Sequence, residues 1–414
     1  MATLKDQYLI PKRYSTLSLI LMAIGVLSII ILFITHGSSS DEHVSARFWA
    51  SLLQNSVFFL LITNTSMFFI VATTLAWGGW DQSFRRVPEA ISSCVPVIGV
   101  IAVVILLSLV FGGNHVIYHW ASPEAAHDPA LEHKAGFLNK PFFAIWTVLT
   151  VVGWSVLGKK LRDRSRMLDN RPLSIEEGKR YIWTNTVWSA LYAVLFALTV
   201  LSSIPWFWLM SIDAHWYSTM YSWYTFASSF VSGLSLIIIY VVYLKNNGYL
   251  ELTTKEHLHD MGKFVFAFSI FWTYLWYSQF MLIWYANIPE ETIYFKARMQ
   301  GPYRAIFFLN LIINFVAPLL ILMKRASKRN YGTITMMAIL IIFGHWLDFY
   351  QMVMPGALVD TTTGLTTVPN MLPDLGIGLG FVGLIMFVTA RTLSKYPLIP
   401  KNHPFLKESI IHHT

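Results

Sequence analysis

An all-α fold that crosses a membrane many times is what this 414-residue sequence predicts, and three observations predict it. The chain is 55% hydrophobic and 13% charged, about half the roughly 25% charge of soluble domains. Its mean hydropathy is +0.53. Its apolar residues gather into ten runs long enough to span hydrocarbon, since about 18 apolar residues without charges read as a membrane helix. Backbone groups in lipid must be satisfied within the segment, and no stretch shows the roughly ten-residue alternation of a barrel strand.

The first run, near 16–36, follows Lys12 and Arg13. No small-residue cleavage site follows it, so it reads as a retained helix and not a leader. The second, near 48–77, is long enough to tilt or project beyond the bilayer. The third, near 89–112, holds the single cysteine, Cys94. One cysteine excludes an internal disulfide, a cysteine-ligated cluster and a c-type haem attachment within this chain; Cys94 itself reads as packing. The fourth, near 141–158, is the shortest, and the fifth lies near 182–206. The remaining runs lie near 218–244, 262–287, 303–323, 332–354 and 375–394. Together they make residues 1–414 a single transmembrane domain.

Lys and Arg set the orientation. With the N-terminus and alternate loops on one side, that side holds 24 of them and the other 6. This predicts a multi-pass protein with both termini cytoplasmic. The net charge of +8 is then a topology signal, and no nucleic-acid partner is read from it. Of the two longest loops, 113–140 outside carries four histidines, and 159–181 inside is strongly basic and suits lipid headgroups or simple anchoring.

Runs two and six both begin outside, behind aromatic and Ser-rich sequence, "RFWASLLQNS" and "HWYSTMYSWY". That predicts two parallel groups of four helices, 2–5 and 6–9, flanked by helices 1 and 10. In run six, small polar residues at 218, 222, 225, 229 and 232 share one face. They read either as a close-packing stripe or as a hydroxyl-lined water file.

Ionisable residues inside a membrane are costly, about 2.5–3.5 kcal/mol for Asp or Lys at mid-bilayer even on lenient scales. Run nine nevertheless reads "GHWLDFYQMVMP", with His345, Asp348 and Gln351 at steps of three on one side. An acid and an imidazole in low dielectric form either a proton relay or a clasp between helices. Further polar residues gather near the faces: Asp213, His215, His115 and His119 outside, and His257, His259, Asp260 and Lys263 inside. Thr273, Tyr277 and Ser278 along run seven would extend a wire between them. A bis-histidine haem needs two histidines in hydrocarbon. Only His345 is clearly there, with His36 at a helix end, so no haem is expected. No phosphate-loop, zinc-protease, nucleophile-elbow or dinucleotide fingerprint is present.

Run seven and its exit, "YLWYSQFMLIWYANIPEETIYF", together with "IDAHWYSTMYSWYTFASSFVSG", "GHWLDFYQMVMP" and the tail "NHPFLKESIIHH", resemble the ActF-type membrane subunit of alternative complex III. That complex is a bacterial quinol:cytochrome c oxidoreductase. The resemblance extends over the whole chain and implies the NrfD-like fold, ten transmembrane helices in two four-helix bundles with two peripheral helices. It implies a non-catalytic, cofactor-free subunit of the bacterial cytoplasmic (inner) membrane that contributes a transmembrane proton path. Haem c, iron–sulfur clusters and menaquinone would belong to partner subunits: a related ten-helix quinol-site protein, a multihaem cytochrome c and an iron–sulfur protein. Lipids and, in some bacteria, a terminal oxidase are further partners. The proton-path candidates are His345, Asp348, Asp213, His215, Lys263, Asp260, His257 and Tyr277. Two other readings stay open. A quinol-oxidising subunit would have a pocket near the outer face, and a proton-coupled transporter would have broken helices in paired positions; only Pro318 hints at the latter.

Overall fold

The computed structural model describes residues 5–112, 115–358 and 368–413. Its regular structure among those residues is helical throughout. Nine helical runs there are long and apolar enough to cross a membrane: α1 (Lys12–Gly37), α2 (Glu42–Leu75), α3 (Arg86–Phe111), α4 (Lys140–Met167), α5 (Ile175–Trp208), α6 (Met220–Asn246), α8 (Gly301–Leu322), α9 (Tyr331–Ala357) and α10 (Leu372–Lys395). One more long helix, α7 (Lys255–Ala286), has no charged residue after Lys263. Six of its residues from Phe264 to Ala286 are Trp or Tyr, whose polar atoms lower its mean hydropathy relative to the others. The chain is an all-α polytopic membrane protein.

Several helices start where a side-chain cap satisfies the free N–H groups of the first turn. Asn139 accepts from Phe142 N at α4, Ser174 and Glu177 form a reciprocal box at α5, and Asn330 accepts from Thr333 N at α9. α3 is interrupted by a turn at Ser93–Cys94, the last turn of α1 is π-helical, and α5 and α8 are irregular in their interiors. Residues Thr199–Ser203 of α5 and Ile312–Val316 of α8 are π-helical, and Pro205 and Pro318 follow them. Proline lacks an N–H and its ring clashes with the carbonyl four residues back, so the ladder skips a residue there. In α5 the Leu198 carbonyl accepts from the Ser202 and Ser203 hydroxyls at 2.6 and 2.7 Å. The two proline-linked π-turns fall in α5 and α8, which are not equivalent positions of the groups 2–5 and 6–9.

α2 and α6 form the centre, each with 83% of its apolar window buried. α3 and α5 pack on α2 with α4 against both of them, and α7 and α9 pack on α6 with α8 against both of them; α2 also touches α6 and α9 directly. α1 pairs with α10 at the edge, and α10 leans on α2 and α3. That edge pair depends on glycine: a Cβ on Gly25 would collide with the Gly380 backbone, and one on Gly383 would sit 2.7 Å from Ser18 O. Small residues are the usual means of bringing membrane helices close, because lipid supplies no hydrophobic drive between them. Both ends of the described chain lie on one face, where Leu398 N donates to Asp6 O at 2.8 Å.

Candidate functional site

The apolar run 333–343 carries α9 into the membrane, and the next turns place His345, Asp348 and Gln351 inward, at 0%, 0% and 5% exposure. Three other helices meet Asp348. Tyr224 of α6 donates its hydroxyl to Oδ1, Asn310 of α8 donates to Oδ1 at 2.8 Å, and Trp272 of α7 donates its indole N–H to Oδ2 at 2.9 Å. His345 Nδ1 lies 3.8 Å from Oδ2 and shares a 3.0 Å hydrogen bond with the Ser228 hydroxyl. The imidazole edge meets the Trp272 ring, with centroids 5.3 Å apart. Its other nitrogen, Nε2, is buried without a hydrogen-bond partner among the described residues. Asn314, within the π-helical turn of α8, donates to Asn310 and so supports the amide that holds Asp348. Gly344 leaves room for Asn314, whose Oδ1 would collide with a Cβ there. Irregular turns of this kind often accompany functional side chains.

On the face away from the termini, aromatic rings continue from Asp348. Tyr224 neighbours Tyr221, and Tyr221 meets Tyr294, at centroid separations of 6.3 and 6.2 Å. Arg298 lies 3.4 Å above the Tyr294 ring. This guanidinium is 2% exposed and donates to the carbonyls of Gln351, Tyr294 and Met352 at 2.8, 2.9 and 3.2 Å. It also donates to Asp213 Oδ2 at 3.2 Å. Asp213 opens onto a cavity of about 740 Å³, which His115, His119 and His215 also line. The His215 ring bonds Asp128 at 2.5 Å, and that bond holds the Asp128 carboxyl below its ordinary range.

His257, Asp260 and Lys263 lie at the terminus-bearing face, where the C-terminal tail packs against them. Thr254 N–H donates to His257 Nδ1 at 3.0 Å, so the neutral ring carries its proton on Nε2 and donates to Ser409 Oγ at 3.2 Å. Ser409 in turn donates to Trp80 O at 2.7 Å. Asp260 bonds His412 at 2.6 Å and the half-exposed Lys263 at 2.5 Å. Farther along the tail, Phe405 N–H donates to His403 Nδ1 at 3.2 Å, and burial pushes His403 down to about 3, with Arg85 and Arg86 nearby adding to the shift. Asp81 sits beneath this tail, wholly buried and held by Thr73 and Arg85, each at 3.0 Å. Its burial raises the carboxyl above its usual range, against the opposing pull of Arg85.

The wire anticipated along run seven is not where it was expected. Tyr277 is 54% exposed, while Thr273 and Ser278 bond back to Ser269 O and Leu275 O of their own helix. The α7 residue that reaches the acid is Trp272, on another face. The small polar stripe of α6 behaves as packing: Thr225, Ser229 and Ser232 bond carbonyls of their own helix, and Thr65 of α2 reaches Ser229 O at 3.1 Å.

Sequence reasoning missed Tyr224, Ser228, Trp272, Asn310 and Arg298. Asn310 and Asn314 left a readable signal, two amides four apart in an otherwise apolar run. Ser228 left none, being one more serine beside the α6 stripe. Arg298 had been counted as an outer-loop charge. The same holds for Arg47, which is buried and pairs with Asp374. Among the described residues no three His, Cys, Asp or Glu side chains gather to hold a metal ion. No family model and no curated protein matches this chain.

Proposed function

We propose that this chain is the ActF-type membrane subunit of alternative complex III, a quinol:cytochrome c oxidoreductase, and that Asp348 and His345 form its proton station. In this reading it lies in the bacterial cytoplasmic membrane with both termini inside and has the NrfD-like ten-helix arrangement. The grouping of α2–α5 and α6–α9, with α1 and α10 at the edge, supports that arrangement. Haem c, iron–sulfur clusters and the menaquinone site belong to partner subunits.

One observation carries the functional part: a carboxyl and an imidazole at zero exposure deep in α9, with donors converging from α6, α7 and α8. Side chains this costly in hydrocarbon mark ion or proton pathways by default. Asp348 takes up a proton from the His345 side and passes it through the Tyr224 hydroxyl toward Asp213 and the outer cavity. Arg298 stands at that exit as a fixed positive charge and opposes free leakage of protons back. On the inner side, the His257–Asp260–His412 cluster gathers protons under the tail. Between this cluster and Ser228 the polar residues are interrupted, so transfer there runs through water or a change in packing driven by the partner subunits.

Purification of the tagged chain in mild detergent, with mass spectrometry and a reduced-minus-oxidised spectrum, tests the assignment. Co-purifying multihaem c and iron–sulfur subunits support it; a colourless chain that purifies alone and intact overturns it. A second reading, in which this chain oxidises quinol itself, is favoured by the 740 Å³ cavity beside Asp213. Labelling of residues 213–216 by a photoreactive menaquinone analogue would establish that reading instead.

A further inference from the structure

A second cavity, of about 410 Å³, lies between α1, α2, α6, α9 and α10, nearer the terminus-bearing face. We propose that it is a binding slot for one anionic phospholipid, which holds an acyl chain inside and its phosphate at the mouth. This inference does not depend on the proton-path reading.

The walls suit a hydrocarbon chain. Leu17, Leu236, Ile239, Ile342 and Val382 line the slot, and no Asp, Glu, His, Lys or Arg is among its lining residues. From Leu236 to Tyr243 the slot follows α6 for about 10 Å at 1.5 Å per residue. It opens sideways, since Leu17 and Ile339 on its rim are 49% and 56% exposed. Bilayer lipid fills any such opening; the question is whether one lipid is selected.

The mouth answers that. Tyr14 is the third residue of α1, and Tyr243 lies three residues before the end of α6, so both stand at headgroup depth. Tyr14 OH donates to Tyr240 OH at 3.3 Å, and the Tyr8 and Tyr243 hydroxyls bond at 3.2 Å. These hydroxyls form a polar rung at the end of an apolar slot, the pattern of an amphiphile site. Lys12 and Arg13 are exposed directly before Tyr14, and neither has an acidic partner among the described residues. Arg13 shares a helix face with Leu17, four residues on. Lys5 lies 5.7 Å from the Tyr249 ring, which packs edge-on to Tyr8. Lys5 and Arg13 therefore supply positive charge on the side of the rung where a phosphate would sit, with Lys12 next to them in sequence, and juxtamembrane cations of this kind attract anionic headgroups. A quinol is the weaker fit, because its oxidation releases protons and the slot has no carboxylate or imidazole to accept them.

The full chain, purified in mild detergent and washed extensively, would be extracted and its lipids quantified by mass spectrometry. About one anionic phospholipid per chain is expected. Leu17→Trp, which fills the slot, should lower that at least fivefold, and Arg13→Glu should lower it about as far. A lipid-free wild type, a stoichiometric neutral lipid or quinone, or full retention by folded Leu17→Trp would each overturn the proposal. Should Leu17→Trp misfold, native mass spectrometry of the wild type from vesicles of equal phosphatidylglycerol and phosphatidylcholine decides. Preferential retention of phosphatidylglycerol supports the slot, and equal retention overturns it.

Discussion

Trp272 Nε1 donates to Asp348 Oδ2 at 2.9 Å, and neither side chain has any exposed surface. An indole is a donor only, and an ionised carboxylate an acceptor only. The pair thus joins α7 to α9 in one orientation, and Tyr224 and Asn310 repeat the arrangement from α6 and α8. The same acid ties four helices together and, in the proposed function, also carries a proton.

Those two roles separate on substitution. Asp348→Asn keeps the volume and one acceptor but cannot exchange a proton. Translocation per electron in the complex should fall by most of this subunit's share, with assembly within about twofold of wild type. Asp348→Ala leaves three buried donors unsatisfied, at about 1–3 kcal/mol each, and assembled complex should fall tenfold or more. Full coupling in Asp348→Asn, measured as acidification against cytochrome c reduction, would make the acid a clasp.

Arg298 anchors the end of the ladder away from the termini through four acceptors, three of them backbone carbonyls. Removing one partner of a buried ion pair costs about 3–5 kcal/mol. Arg298→Ala should therefore lower the melting midpoint in detergent by several degrees. Asp213→Asn should do less, because that side chain is 26% exposed. Equal midpoints for Arg298→Ala and wild type would remove Arg298 from this role.

The tail should respond to acid through His403. Its ordinary value is 6.5 and burial lowers it to about 3, so the displaced tail binds a proton more readily than the docked one. Docking is at full strength above about pH 6.5 and weakens as pH falls toward 3. Hydrogen exchange of 402–413 should be faster at pH 4.5 than at pH 7, after correction for intrinsic rates, and the difference should shrink in His403→Gln. Equal protection at the two pH values would show that His403 does not report docking.

Helix positions were legible because long apolar runs leave little freedom once lipid is the solvent. Among the described residues nine of the ten runs fall in helices long and apolar enough to cross a membrane. The tenth, in α7, falls in a helix of similar length made less apolar by its Trp and Tyr residues. His345 and Asp348 were legible for the same reason, since a charged side chain stands out against Ile and Leu. Their partners were not. Tyr224 and Trp272 are ordinary membrane residues until tertiary packing aims them at one carboxyl. Tyr277 was chosen over Trp272 because a hydroxyl suggests a wire, but which face of α7 turns inward depends on α6 and α8. Arg47 and Arg298 looked like loop charges because counting basic residues by side ignores burial.

The edge pair offers a test in which intrinsic propensity and packing have opposite signs. Within a helix, Gly→Ala is favourable by about 1 kcal/mol, so a neutral site would gain stability. At Gly25 the added methyl meets the Gly380 backbone, which no rotamer change relieves. Gly25→Ala should therefore push α1 off α10 and lower the melting midpoint despite the helical gain. Gly136, in a turn outside the helices, is a control for the methyl alone: nothing lies within 4 Å of a Cβ there, no helical gain applies, and Gly136→Ala should stay within about 0.5 kcal/mol of wild type. Both proteins should still insert, since only 17% of the apolar window of α1 is buried against the rest of the chain. A Gly25→Ala midpoint at or above wild type would mean that the two helices are not held in contact at this glycine.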